Sequence, residues 1–320
     1  MPRSFSDAAA LIGRARQGDR RALARALTAV EGGGDPARDV GREAARLAGQ
    51  AHVVGITGAP GAGKSTLTGE LVGTVRRRET PVAVLAIDPS SPFSGGAILG
   101  DRVRMQAHAT DAGAFIRSMA TRGHLGGLTL ATPQAIRVLD AAGFPFVIVE
   151  TVGVGQVEVD IAGAADTTVV VVNPGWGDAV QANKAGLLEI ADIFVINKAD
   201  RDGAEATRND LEQMLMMSGP PESGWIPPVL MTVSTTGQGA AELWAAIEDH
   251  RAHADKTGLL ETRRRRRIEA EMRTILVRRL EQIAAGHGGT PAWSAACDAV
   301  ATGQVDPYTA VETLLEPVAL

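Results

Sequence analysis

Several residue types and patterns are scarce in this sequence, and each shortage removes a class of protein. Among 320 residues there is one cysteine, Cys297. No internal disulfide can form, which suits a reducing compartment, and a cytoplasmic location is expected. Aromatic residues make up only 3% of the chain, so a core must be built from Ala, Val, Leu and Ile. No stretch reaches the roughly 18 consecutive apolar residues of a membrane span. The opening "MPRSFSDAAALIGRARQGDRR" has no uninterrupted apolar run of the kind a signal peptide carries. Neither secretion nor membrane embedding is expected. Positive charge is not in excess: the formal net charge is −5, so nothing global favours nucleic acid or an anionic membrane as a partner. The six histidines are scattered, and "HRAH" at residues 250–253 lacks cysteine or acidic companions, so no metal site is assigned there.

What is present looks like an ordinary folded chain. Hydrophobic residues are 45% and charged residues 22%, and the length allows one large core with a smaller attached element, or two modest domains. Three segments are expected. Residues 1–50 carry Ala, Leu and Arg at helical spacing, with Asp19 placed to cap a run holding Leu23, Leu27 and Val30 before "EGGGDP" breaks it. Residues 51–254 alternate apolar runs with amphipathic stretches, the mark of a doubly wound, mostly parallel α/β sheet with helices on both faces. Strands are expected at His52–Thr57, Val82–Ile87, Ala114–Ser118, Phe146–Glu150, Thr168–Asn173, Ile193–Asn197 and Val229–Ser234. Residues 255–320 have no strand signal. Ile268, Met272, Ile275, Leu276, Leu280 and Ile283 repeat at helical spacing. Two shorter helices follow, the second opened by Asp306 and Pro307. Such a long helix either folds back on the sheet or pairs with another chain. "RRRRR" at 263–267 sits among Glu261, Glu269 and Glu271 and reads as a salt-bridged exposed face.

The chemistry concentrates at strand ends. "GAPGAGKST" satisfies G-x-x-x-x-G-K-[ST] with Gly58, Gly63, Lys64 and Ser65, between a strand and a helix. Its glycines let main-chain N–H groups turn inward around a polyphosphate, Lys64 reaches the β and γ oxygens, and the Ser65 hydroxyl takes one position on Mg²⁺. "NKAD", Asn197 to Asp200, ends another apolar strand. A carboxylate there accepts from N1–H and the exocyclic amine of guanine, whereas adenine offers it a lone pair; Asp200 should therefore select guanine. Asn197 would bond the base's other edge or tie down neighbouring loops, and the Lys198 stem would cover the ring. Ser234, Thr235 and Thr236 follow the last strand, where they either place N–H groups on the guanine carbonyl or merely cap a helix.

"FPFVIVETVGVGQ" delivers Glu150 and then Gly153, an acid for Mg²⁺ and a backbone N–H that can sense a γ-phosphate. Val154 stands where small GTPases carry a water-orienting glutamine, so intrinsic hydrolysis is expected to be slow unless another segment or a partner completes the site. "IDPSSPFSGGAILGDRVRM" offers Asp88 and Asp101 for that purpose, and "NPGWGDAVQANKAG" offers Asp178 and Lys184.

The order of these segments, with "GDRRALARALT" near the start and "DPYTA" near the end, resembles the MeaB/ArgK-type GTPases, chaperones of cobalamin-dependent acyl-CoA mutases. The resemblance implies that Gly58, Ala59, Pro60, Gly61, Ala62, Gly63, Lys64, Ser65 and Thr66 form the phosphate loop for GTP or GDP. It implies that Asn197, Lys198 and Asp200 read guanine, and that Asp88, Asp101 and Glu150 support Mg²⁺ and the attacking water. Lys184 would approach the nucleotide when the mutase is bound, although family members often have two consecutive lysines where this chain has Lys184-Ala185. Methylmalonyl-CoA mutase is the implied client, with its adenosyltransferase as a second candidate partner. A homodimer through the carboxyl-terminal helices is implied as well. Two rivals are a P-loop small-molecule kinase, which would take ATP and need no N-K-x-D, and a GTPase chaperone of another metal centre such as nickel, which would be expected to carry His/Cys clusters.

Overall fold

The computed structural model describes residues 8–88, 108, 110–120, 131–151, 157–175, 186, 188–219 and 223–315. Three helices open it: α1 (Ala8–Arg16), α2 (Arg20–Gly32) and α3 (Gly34–Ala45). Asp19 does cap α2, accepting from the Arg21 and Ala22 N–H groups at 2.9 and 3.0 Å. The α/β part runs β1 (His52–Gly58), α4 (Lys64–Arg76), β2 (Val82–Asp88), β3 (Ala114–Ala120), α5 (Ala131–Ala141), β4 (Phe146–Thr151), α6 (Val157–Ala164), β5 (Thr167–Val172), β6 (Ile193–Asn197), α7 (Ala204–Met217), β7 (Val229–Thr232) and α8 (Ala240–Lys256). Then come α9 (Leu259–His287), α10 (Pro291–Ala301) and α11 (Pro307–Leu315).

The seven strands form one sheet in the order β3-β2-β4-β1-β5-β6-β7, and every pairing is parallel. The Val/Ile runs explain why. A strand whose side chains are apolar on both faces is stable only where helices cover both, and β1, β4, β5 and β6 are buried along their whole length. One face packs Val54, Ile56, Ile148, Val169 and Val171 against Leu67, Leu71 and Val75 of α4 and Leu243, Trp244 and Ile247 of α8. The other face meets the amino-terminal helices with α5 and α6, and α7 beyond them. With few rings available, aliphatic residues do most of this work; Phe146 set edge-on to Trp244 at 4.8 Å is one of the aromatic contacts.

The backbone divides into two compact units, Met1–Arg267 and Ile268–Leu320, so the division falls inside α9. In the second unit α10 and α11 pack on each other. The Asp306 carboxylate caps α11 through the Tyr308 and Thr309 N–H groups. Ile268, Met272, Ile275, Leu276 and Leu280 of α9 are exposed in the single chain. Among the described residues no helix is long and apolar enough to cross a membrane.

The run at 263–267 departs from the expected salt-bridged exposed face. Arg265 and Arg266 are exposed, but Arg263, Arg264 and Arg267, on one side of the helix, turn inward to Asp166 and Asp192 at the feet of β5 and β6. Spacing alone could not reveal this, because both aspartates are distant in sequence.

Candidate nucleotide site

Parallel strands bring their carboxyl ends to one edge of the sheet, and a crossover at the central strand leaves a crevice there. The register aligns Ile56 of β1 with Glu150 of β4, and Glu150 with Ala86 of β2. The ends of β1, β2 and β4 therefore lie side by side, with β5 and β6 continuing the row. Gly58 closes β1, Asp88 closes β2, and Glu150-Thr151 closes β4.

Between Gly58 and Lys64 the chain turns from strand to helix. Gly58 has φ 131°, and a Cβ there would lie 1.9 Å from the Val171 carbonyl oxygen of the neighbouring strand. Gly58→Ala is therefore expected to destabilise the fold by about 3–5 kcal/mol, combining backbone strain with overpacking. A urea titration read by circular dichroism measures this; an unchanged midpoint would contradict it. Gly63, at φ 89°, has no room for a Cβ either, because the Asn197 amide nitrogen would be 2.4 Å away.

Lys64 and Ser65 start α4 and are both buried. Lys64 Nζ donates to the Gly58 and Ala59 carbonyls at 2.7 and 3.0 Å. The ammonium thus lies over the loop, whose N–H groups and following helix end form a positive cradle for an anion. Ser65 Oγ donates to Glu150 Oε1 at 2.5 Å, with Glu150 only 1% exposed. A hydroxyl and a carboxylate in contact at the head of α4 are hard oxygen donors of the kind Mg²⁺ takes. Thr66 is half-buried one residue on, and Pro60 and Gly61 are exposed.

The second pole is tied to the first. Asn197 Nδ2 donates to the Ala62 carbonyl at 2.8 Å, and Lys198 Nζ to the Gly61 carbonyl at 2.6 Å. Asn197 Oδ1 accepts from Thr232 Oγ1, the Ser234 N–H and Ser234 Oγ at 3.1, 3.2 and 2.7 Å. Of the two roles open to Asn197, this geometry is that of a tie between three loops. Lys198 holds a left-handed backbone, φ 60°, and Asp200 is exposed two residues on. Thr235 and Thr236 are exposed, and Thr236 closes a turn onto the Val233 carbonyl.

Two features had no place in the motif reading. Thr232 supports Asn197 from β7. Thr151 Oγ1 donates to Thr57 Oγ1 at 3.2 Å, both fully buried, joining the roots of the Glu150 loop and the phosphate loop. Their signal was positional, a threonine at a strand end beside each motif. Asp101, Gly153, Trp176, Asp178 and Lys184 lie outside the described residues, as does the side chain of Asp88.

The family described as "Methylmalonyl Co-A mutase-associated GTPase MeaB" matches residues 23–288. A protein of Pyrococcus abyssi (strain GE5 / Orsay) is 51% identical over 310 residues, 96% of each chain. "GTPase ArgK" of Escherichia coli (strain K12) is 39% identical over 258 residues, 78% of each. Among solved structures, "LAO/AO transport system kinase" superposes with a TM-score of 0.71 at 28% identity, covering 99% of both chains. By these likenesses the chain belongs to the MeaB family of methylmalonyl-CoA mutase-associated GTPases.

Proposed function

We propose that the protein is a GTP-hydrolysing chaperone of a cobalamin-dependent acyl-CoA mutase, methylmalonyl-CoA mutase first among them. Its nucleotide state would gate adenosylcobalamin loading and the protection or reactivation of the mutase. The observation that carries this reading is the pair of bonds from Asn197 and Lys198 to the Ala62 and Gly61 carbonyls. They make the base-reading and phosphate-holding segments one mechanical unit, so a change at the phosphates can be felt at both. The family's association with a mutase is what favours this client.

In this reading residues 58–66 hold the phosphates, with Lys64 moving from the Gly58 and Ala59 carbonyls toward the β and γ oxygens. Asp200 takes the guanine edge, and Ser234, Thr235 and Thr236 flank the base. Ser65 and Glu150, with Asp88 and Asp101, would hold Mg²⁺, which would neutralise charge on the phosphates. Gly153 and Lys184 belong to loops that would be ordered by the γ-phosphate and released on its loss. The exposed apolar residues of α9 support a homodimer through the carboxyl-terminal helices, and a cytoplasmic location and contact with the mutase's adenosyltransferase complete the reading.

A switch is useful only if the partner distinguishes its states. Immobilised protein is expected to retain purified methylmalonyl-CoA mutase in a nucleotide-dependent manner. Equal retention with a non-hydrolysable GTP analogue, GDP or no nucleotide would refute the proposal.

A further inference from the structure

At the opposite edge of the sheet from the nucleotide, five strongly charged side chains and two histidines are packed around the feet of β1, β5 and β6. Asp166 precedes β5 and Asp192 precedes β6, both buried. Each braces backbone from below: Asp166 Oδ2 accepts from the Val53 N–H at 2.9 Å, and Asp192 Oδ2 from the Thr168 N–H at 2.8 Å. From above, α9 brings the arginines. Arg263 grips Asp192 with both ends of its fork, at 2.7 and 2.8 Å, and also donates to the Asp166 carbonyl. Arg264 donates to the Gly49 and Ala51 carbonyls and reaches Asp166 Oδ2 at 3.3 Å. Arg267 donates to the Ala164 carbonyl and to Asp166 Oδ1. All of these groups lie in the unit Met1–Arg267.

Each carboxylate also faces a histidine. His52 Nδ1 is 3.8 Å from Asp166 Oδ2, and His250 Nε2 is 3.2 Å from Asp192 Oδ1. The Thr167 hydroxyl bridges the two rings, 2.8 Å from His52 Nε2 and 2.7 Å from His250 Nδ1. One hydroxyl proton couples the tautomers of the two rings. If His250 keeps Nε2–H toward Asp192, its Nδ1 accepts from Thr167, and Thr167 accepts from His52 Nε2–H. His52 Nδ1 is then a bare lone pair turned toward Asp166; among the described residues neither it nor His250 Nε2 has a hydrogen-bond partner.

We propose that the first turns of α9, residues 259–267, are an acid-released latch: a proton on His52 draws Asp166 away from Arg264 and Arg267, and the arginine-bearing turns leave the foot of the sheet. Three guanidinium groups already face two carboxylates. Another cation among them strengthens the repulsion and competes for Asp166 at the same time. Of the groups facing His52, Asp166 favours its charge, and Arg251 and His250 from α8 and Arg264 from α9 oppose it. Burial, foremost, and these cations lower the His52 pKa from 6.5 to about 4 while the latch is closed. In the open state Asp166 is freed to serve as its counter-ion, and the ordinary value is the lower bound. The closed state is thus at full strength above pH 6.5 and weakens as pH falls toward 4.

Hydrogen exchange of the full chain, corrected for the chemical exchange rate, tests this. Opening of residues 259–267 is expected to be about 30-fold more frequent at pH 5 than at pH 8, from one proton titrating between those two values. Amides of β5 should stay protected over the same range, and His52→Gln should remove the step. Should that variant not fold, Arg264→Gln combined with Arg267→Gln is expected to open residues 259–267 already at pH 8. A flat profile in the wild type, opening that tracks β5, a step that survives in His52→Gln, or full protection in the double arginine variant would overturn the latch.

Discussion

Asp200→Ala is expected to weaken GTP binding by about 10²- to 10⁴-fold, because it removes two hydrogen bonds to a charged acceptor, each worth about 1.5–3 kcal/mol. Discrimination against ATP should collapse with it. The expectation rests on how little Asp200 does for the fold. It is exposed, and its backbone is set by its neighbours: the Ala199 N–H donates to the Thr232 carbonyl and the Arg201 N–H to the Lys198 carbonyl, both at 3.0 Å. Truncating the carboxylate therefore deletes a recognition element from a frame that stays in place. Asp200→Asn is a sharper probe. Its amide offers one acceptor and one donor, so it pairs N1–H but opposes the exocyclic amine of guanine; xanthine, with a carbonyl at that position, matches it. Calorimetry with GTP, XTP and ATP should rank XTP first for Asp200→Asn and show no preference among the three for Asp200→Ala. Retention of wild-type GTP affinity in Asp200→Ala would remove the basis for assigning the guanine contact to this residue.

The parts of this molecule legible in its sequence are those whose cause is local. A run such as Thr168-Val-Val-Val-Val can be satisfied only as a strand covered on both faces, and that reading places β5 to within a residue. Asp19 and Asp306 announce helix starts because a capping carboxylate bonds N–H groups two and three residues ahead. The phosphate loop is legible for the same reason, since its glycines are dictated by the turn itself. What stayed hidden depends on residues far apart. The five arginines look identical in a row, and only the positions of Asp166 and Asp192 separate those that turn inward from those that face water. His250 reads as half of a loose histidine pair, yet it belongs to a buried chain through Thr167 to His52, 198 residues earlier by number. The last strand also ends earlier than its apolar pattern suggests, at Thr232, because Val233 forms an antiparallel bridge with Gln238 and commits the next residues to a turn.

The phosphate end of the site should fail in a different way from the base end. In the structure Lys64 is 6% exposed, and two main-chain carbonyls accept from its ammonium. Neither carries a full charge, so an incoming triphosphate competes successfully for the same group. Lys64→Ala is expected to lower the single-turnover rate of GTP hydrolysis by about 10³-fold, the scale on which one preorganised donor at developing charge contributes. Arginine should not restore it, because a broad planar guanidinium cannot take the place of a compact ammonium enclosed by the loop. The fold should survive: the lost strut is a pair of charged hydrogen bonds worth about 1.5–3 kcal/mol each, and the loop keeps its ties to Asn197 and Lys198. The contrast with Asp200→Ala is diagnostic. Losing the base contact removes binding that ground state and transition state share, so KM rises while kcat holds. Losing the ammonium removes an interaction that grows as charge shifts between the phosphates, so kcat itself falls. If Lys64→Ala hydrolyses GTP within a few-fold of the wild-type rate at saturation, Lys64 is not a catalytic residue, and the positive charge at the γ-phosphate must come from elsewhere in the chain.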